Sequence, residues 1–223
     1  MNIAQSTIQE LAVNIPGATE LFDSYQINYT KQQGLLLKDI AETAKISLFD
    51  LIDKLESLLR AGPHSDNEQW RTRPVCDLIA HILENFHEKH RVQLSEAIRL
   101  TQKVANAHGD HPNFPYELEA LLTSMQFDLE EHMIKEERIL FPMMESGMHP
   151  SGPISVMMSE HVDHAKTLEQ LKLTTNAFSP PAEACNSWTT LYKDLQALYF
   201  DLKEHIHLEN DILFSSKSEL FQI

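Results

Sequence analysis

Histidine and glutamate recur in this chain at helical spacing. HMIKEERILF occupies 132–141 and HIHLENDILF occupies 205–214, so H-x-x-x-E followed by I-L-F appears twice. A second pattern, H-x-x-H, appears as HEKH at 87–90 and HVDH at 161–164. An α-helix turns once every 3.6 residues, so residues four apart project from one face. His132 with Glu136, and His205 with Glu209, can therefore each present an imidazole nitrogen and a carboxylate oxygen to one metal centre. Imidazole and carboxylate without thiolate suit iron or manganese best; zinc prefers fewer ligands.

The spacing between the motifs is itself a repeat. His87 to His132 is 45 residues and His161 to His205 is 44, as if two helical hairpins of one design were joined in tandem. Each motif also falls on an apolar seam. Leu191, Leu195, Leu198, Leu202, His205, Glu209 and Ile212 follow alternating steps of four and three, as do Met125, Leu129, His132, Glu136 and Ile139. Ile154, Met157, His161, His164, Leu168 and Leu171 form a third seam, and Ala80, Leu83, His87, His90 and Leu94 a fourth. Carboxylates in apolar cores are costly and repel one another unless cations compensate them. Two bridging carboxylates and two histidines per metal fill four positions of an octahedral ion. About two remain on each for a bridging oxide or hydroxide and an exogenous ligand.

Spacing alone does not decide which member of each H-x-x-H pair binds. His90 and His164 are alternative ligands, outer partners of the ligands or core histidines satisfied by hydrogen bonds, the last being the default. Asp128, one turn before His132, and Glu160, beside His161, are placed to orient ligands or relay protons; acids on such faces are more often simply solvated. His207 lies about 200° around the helix from His205 and reads as a surface residue. His64, His81, His108, His111 and His149 fall in loops or off the ligand level.

Four long helices must position these groups. Pro74 opens the first, which runs to about Ala107; Pro115 opens the second, to about Met144; Pro153 opens the third, to about Asn176; the fourth runs from near Pro181 to about Ser216. Short polar connections between long helices predict an up-down-up-down bundle over 74–223. Residues 61–73, AGPHSDNEQWRTR, read as a linker. Residues 1–60 read as a small helical domain, with patterns at 5–14, 17–25 and 35–44. Its last helix begins at Ser47 and carries Leu48, Leu51, Ile52, Leu55, Leu58 and Leu59 along one side. The fold class is all-α.

Composition narrows the function classes. Six glycines in 223 residues favour helix over sheet, and a net charge of −15 disfavours nucleic acid and anionic membranes as partners. The start has no basic n-region, and no segment reaches the ~20 apolar residues of a membrane span, so a cytoplasmic location is expected. Cys76 and Cys185, 109 positions apart, form no redox or metal motif and read as buried or partly buried thiols.

HMIKEERILFPMMESGM, GPISVMMSEHVDHA, PAEACNSW and HIHLENDILF closely resemble the hemerythrin-like bundle of the Repair of Iron Centres family of iron–sulfur cluster repair proteins. LAVNIPGATELF at 11–22 resembles that family's small N-terminal domain, so the likeness spans nearly the whole chain. The resemblance implies a non-haem centre of two iron ions, oxo- or hydroxo-bridged, held by His87, His132, Glu136, His161, His205 and Glu209. It also implies nitric oxide or oxygen species as small ligands and iron–sulfur proteins or their scaffolds as clients; a homodimer is a further option. Two modes of action follow: reduction of nitric oxide at the di-iron centre, and donation of iron to damaged clusters. The alternative is a reversible oxygen or nitric oxide binder of hemerythrin type, against which the four rather than five strong histidines weigh. One departure stands out. The family carries a Cys-Cys pair where this chain reads Y-T-K-Q-Q-G, with Thr30 and Lys31 in the cysteine positions.

Overall fold

The computed structural model describes residues 3–15, 17–27, 32, 34–60 and 67–215. Thr30, Lys31 and His64 therefore lie outside the described residues, as do much of the expected linker and the end of the chain beyond 215. The described chain is all-helical apart from an isolated bridge between Thr7 and Leu36. No helix among the described residues is long and apolar enough to cross a membrane.

Four short helices come first: α1 (Ile8–Asn14), α2 (Ala18–Ser24), α3 (Leu37–Ala44) and α4 (Leu48–Arg60). Thr7 starts α1 with a capping box: its hydroxyl accepts from the Glu10 N–H while the Glu10 carboxylate accepts from the Thr7 N–H. Ser47 caps α4 by accepting from the Asp50 N–H. These helices bury Ile8, Leu11, Ile15, Phe22, Leu37, Leu51 and Leu55 completely in a core of their own. Leu59, read on the apolar side of α4, is instead exposed.

The bundle follows. α5 begins as Val75–Ile82, widens into a π-turn at Leu83–His87 and continues as Glu88–His108. α6 runs Leu118–Lys135, widens at Glu136–Leu140 and ends as Phe141–Glu145. α7, Ser151–Thr174, is uninterrupted; α8 runs Asn186–His207 and ends in a π-turn at Leu208–Leu213. Helices pack in the ring order α5–α6–α7–α8 and back to α5.

The apolar core has two layers, and their membership shows the alternation of direction. Residues before His87 and His161, such as Ile82 and Met157, share one layer with residues after Glu136 and Glu209, such as Phe141 and Ile212. Residues after the H-x-x-H motifs, such as Leu94 and Leu168, share the other with residues before His132 and His205, such as Leu129 and Leu202. The six His and Glu side chains lie between the two layers.

Several boundaries differ from the sequence reading. α6 starts at Leu118 rather than at Pro115, and α8 at Asn186 rather than near Pro181. The chain between α7 and α8 is longer than expected, and within it Asn176, Ala177 and Phe178 all take positive φ, near 49°, 54° and 58°. That left-handed turn, sterically costly without glycine, folds Phe178 into the core. Ala80 and Ile139, expected on the seams, are exposed, while Ile79, Ile82 and Leu140 are buried. The π-turns are the reason: each inserts about one extra residue into a turn, and the buried face shifts accordingly. Cys76 is exposed rather than buried, and Cys185 half-buried.

Candidate metal centre

His87, His132, Glu136, His161, His205 and Glu209 are all essentially fully buried. They fall into two groups of four: His87, Glu136, His205 and Glu209, and His132, Glu136, His161 and Glu209. Within each group one ligand atom per residue lies within 4.8 Å of all the others. Both glutamates belong to both groups. One Glu136 oxygen stands 3.5 Å from His87 Nε2 and 3.4 Å from His132 Nε2. Glu209 reaches His161 Nε2 and His205 Nε2, each at 3.1 Å.

Hydrogen bonds to the outer ring nitrogens fix the imidazoles. His87 Nδ1 donates to Glu137 Oε1 at 2.9 Å, His132 Nδ1 to Glu160 Oε2 at 2.9 Å, and His161 Nδ1 to Asn210 Oδ1 at 2.8 Å. Each acceptor assigns the proton to Nδ1 and leaves Nε2 with its lone pair. Arg91 holds Glu137 and also Glu88 and Glu130, and Lys135 holds Glu160. Phe141 and Phe214, which close the two I-L-F sequences, stack on His87 and His161.

The electrostatics of the metal-free chain show what these groups lack. Burial disfavours a charged His132, but the Glu136 carboxylate outweighs it and raises the pKa to about 9. His87 is raised by the same contest between burial and Glu136. Glu209 stays well below the usual carboxylate range despite its burial, because His205 and His161 face it. Yet all four oxygens of Glu136 and Glu209 are buried without a hydrogen bond, as is Nε2 of His87 and of His205. His132 Nε2 and His161 Nε2 face each other at 3.0 Å with both outer protons already committed. Converging lone pairs around two buried carboxylates fit two cations, with each glutamate spanning the pair.

The remaining expected residues divide. Glu160 accepts directly from His132. Asp128 does not: it accepts from Ser124 in a surface cleft that also includes Glu131 and His164. His90 and His164 fall in neither group of four, but they are not satisfied core histidines either, since Nε2 of each is buried without a partner. Burial, together with the neighbouring His205, lowers His90 to a pKa of about 3; burial and His132 lower His164 to about 4. His207 is a surface residue paired with Asp211. Sequence reasoning passed over Glu137 and Asn210. Their signal was the repeat itself: each directly follows a shared glutamate, and each supports the first histidine of an H-x-x-H motif.

A four-helix bundle with this inward His/Glu layer defines a hemerythrin-type cation-binding protein, and residues 78–215 match the Hemerythrin HHE cation binding domain. The whole chain has relatives as well. It is 41% identical to the iron-sulfur cluster repair protein YtfE of Musicola paradisiaca over 96% of each chain. It is 40% identical to the protein of the same name from Pectobacterium atrosepticum, over 96% of this chain and 97% of that one. The chain belongs to this iron–sulfur cluster repair family.

Proposed function

We propose that this chain binds two iron ions, one held by His87 and His205, the other by His132 and His161, with Glu136 and Glu209 bridging both. The observation that carries the reading is the membership of both glutamates in both groups of four. An ion held by four protein donors would have room for about two further ligands if six-coordinate. We propose further that the centre serves the repair of iron–sulfur clusters damaged by nitric oxide or oxidants; the relatives are named for iron–sulfur cluster repair.

The chain's own residues make the site suitable. The apolar layers above and below exclude water, which strengthens the grip of carboxylates on cations. Glu137, Glu160 and Asn210 hold three of the imidazoles with Nε2 inward. When bound, two reduced irons supply two electrons and open positions for small diatomic ligands such as nitric oxide. An acidic cleft lined by Glu84, Glu88, Glu137 and Glu145 reaches the partner of His87 and would favour passage of a cation, as iron donation requires.

The test is full-length protein loaded with iron under anaerobic conditions. Metal analysis should give two irons per chain, and Mössbauer spectra should show a coupled pair. Steady consumption of nitric oxide beyond the iron present supports reduction as the activity; stoichiometric loss of iron to an apo-cluster protein supports donation. Iron near zero, or a single tightly bound zinc, would overturn the reading.

A further inference from the structure

The two hairpins repeat each other, with His87 matching His161, His132 matching His205 and Glu136 matching Glu209. The outer partners follow the same symmetry, with one exception. Glu137 on His87 matches Asn210 on His161. Glu160, beside His161, accepts from His132 Nδ1. Its counterpart beside His87 is Phe86, which stacks on His205 with ring centroids 5.4 Å apart and has no acceptor to offer. Nδ1 of His205 is consequently buried with no partner. A His205 that binds metal through Nε2 must carry its proton on Nδ1, so this donor needs an acceptor.

His90 is the neighbour that can supply one. Its ring centroid lies 5.3 Å from that of His205, and its Nε2 is also buried without a partner. Surrounding hydrogen bonds fix its tautomer. Asp201 Oδ2 accepts from Gln93 Nε2 at 2.6 Å, and also from Lys89 at 2.7 Å. A carboxylate so placed cannot donate, so the Gln93 amide must point its nitrogen at Asp201 and its oxygen at His90. Gln93 Oε1 then accepts from His90 Nδ1 at 3.1 Å, which leaves the lone pair on His90 Nε2. A linear bond between two imidazoles sets their centroids about 5 Å apart, from a donor–acceptor distance of about 3 Å plus roughly 1 Å within each ring.

We propose that His90 is the outer partner of His205, accepting its Nδ1–H when metal binds, with Gln93 and Asp201 holding His90 in the acceptor tautomer. His90 is thus a positioning residue for one of the two metal ions. This inference rests on the di-metal reading above. His164, the counterpart of His90, has no such task, because Glu160 already serves His132.

The experiment follows iron release to a ferrous chelator from the full chain. His90→Phe keeps an aromatic ring against Phe86 but removes the acceptor; His90→Gln keeps an acceptor. His90→Phe should hasten loss of one iron about 10–100-fold, the usual effect of removing an outer partner, and leave the other iron's release unchanged. His90→Gln should recover most of the retention. Phe and Gln variants that release both irons at the wild-type rate would overturn the role of His90 alone; wild-type protein without metal would overturn the di-metal reading and this inference with it. Zinc-loaded wild-type protein provides a check free of substitutions. Long-range 1H–15N spectra should show His90 protonated at Nδ1 and a slowly exchanging Nδ1–H on His205. A His90 protonated at Nε2 would overturn the proposal.

Discussion

Glu136 and Glu209 are buried carboxylates whose oxygens accept no hydrogen bond, so their reason for being in the core is what they hold there. Glu136→Ala and Glu209→Ala should each strip metal from both positions, since each belongs to both groups of four. His207→Ala, which removes a surface imidazole paired with Asp211, should leave metal content unchanged. Metal analysis of the three variants decides; a His207→Ala protein as depleted as the glutamate variants would contradict the facing of α8. The proton on His132 gives a second prediction. Its pKa in the metal-free chain is raised from 6.5 to about 9, so the stabilisation from its pairing with Glu136 is complete below about pH 6.5. That stabilisation is lost as pH rises through about 9. Bound metal takes the place of the proton. The melting temperature of metal-free protein should therefore fall between pH 6.5 and about 9 while that of loaded protein holds. Parallel curves would exclude a raised His132.

At the level of the helix, the π-turns decide which residues face inward. A continuous α-helix through α6 would bury Ile139, three residues after Glu136, whereas the widened turn leaves it 54% exposed and Leu140 only 1% exposed. Ile139→Ala should change unfolding free energy by no more than about 0.5 kcal/mol, and Leu140→Ala should cost about 2–5 kcal/mol. Denaturant titrations giving the reverse order would mean that α6 is uninterrupted. The same turns explain what could be read in advance. α7 has no π-turn, and Ile154, Met157, His161, Leu168 and Leu171 of its expected seam are buried as the 3.6-residue period predicts, His164 being half-buried. α5 was legible from His87 onward but not before it, where the turn at Leu83–His87 shifts the buried face from Ala80 to Ile79 and Ile82. His132, Glu136, His205 and Glu209 were legible because they repeat at one spacing and sit where apolar residues belong; which histidine of each H-x-x-H pair faces them was legible only through the family resemblance. Their outer partners were not, because Glu137, Asn210 and Gln93 look in sequence like ordinary polar residues of solvated helix faces. Only the packing of α5 on α6, of α7 on α8 and of α8 on α5 gives them a target.

For the whole molecule, the described residues among the first sixty contribute no side chain to either group of four at the metal centre. They meet the bundle on its flank. Gln196 of α8 donates to the Ala12 carbonyl from a buried position, Lys193 pairs with Asp23 at 3.2 Å, and Gln9 donates to Ser179 at 3.1 Å. Gln196 lies nine residues before His205, about 13 Å along the helix at 1.5 Å per residue. That is too far for a shared first contact, and the buried residues of both bundle layers beside the metal site all follow residue 77, with Trp70 packed against one of the layers. Thr30 and Lys31, where the family resemblance leads one to expect a pair of cysteines, offer no soft ligand for iron or a nitrosyl group. Residues 74–223 alone should therefore retain the metal content of the full chain and most of any nitric oxide consumption it shows. They should be less stable than the full chain, because the contacts of Gln196, Lys193 and Ser179 with the first helices are lost. Gln196→Leu should destabilise the full chain by leaving the Ala12 carbonyl unpaired, yet leave the truncated bundle unharmed. Metal content, unfolding free energy and nitric oxide consumption of the two lengths test this together. Loss of consumption with iron retained would mean that residues 1–60 take part in turnover without thiols, through contact with a redox partner or control of access rather than through a ligand of their own.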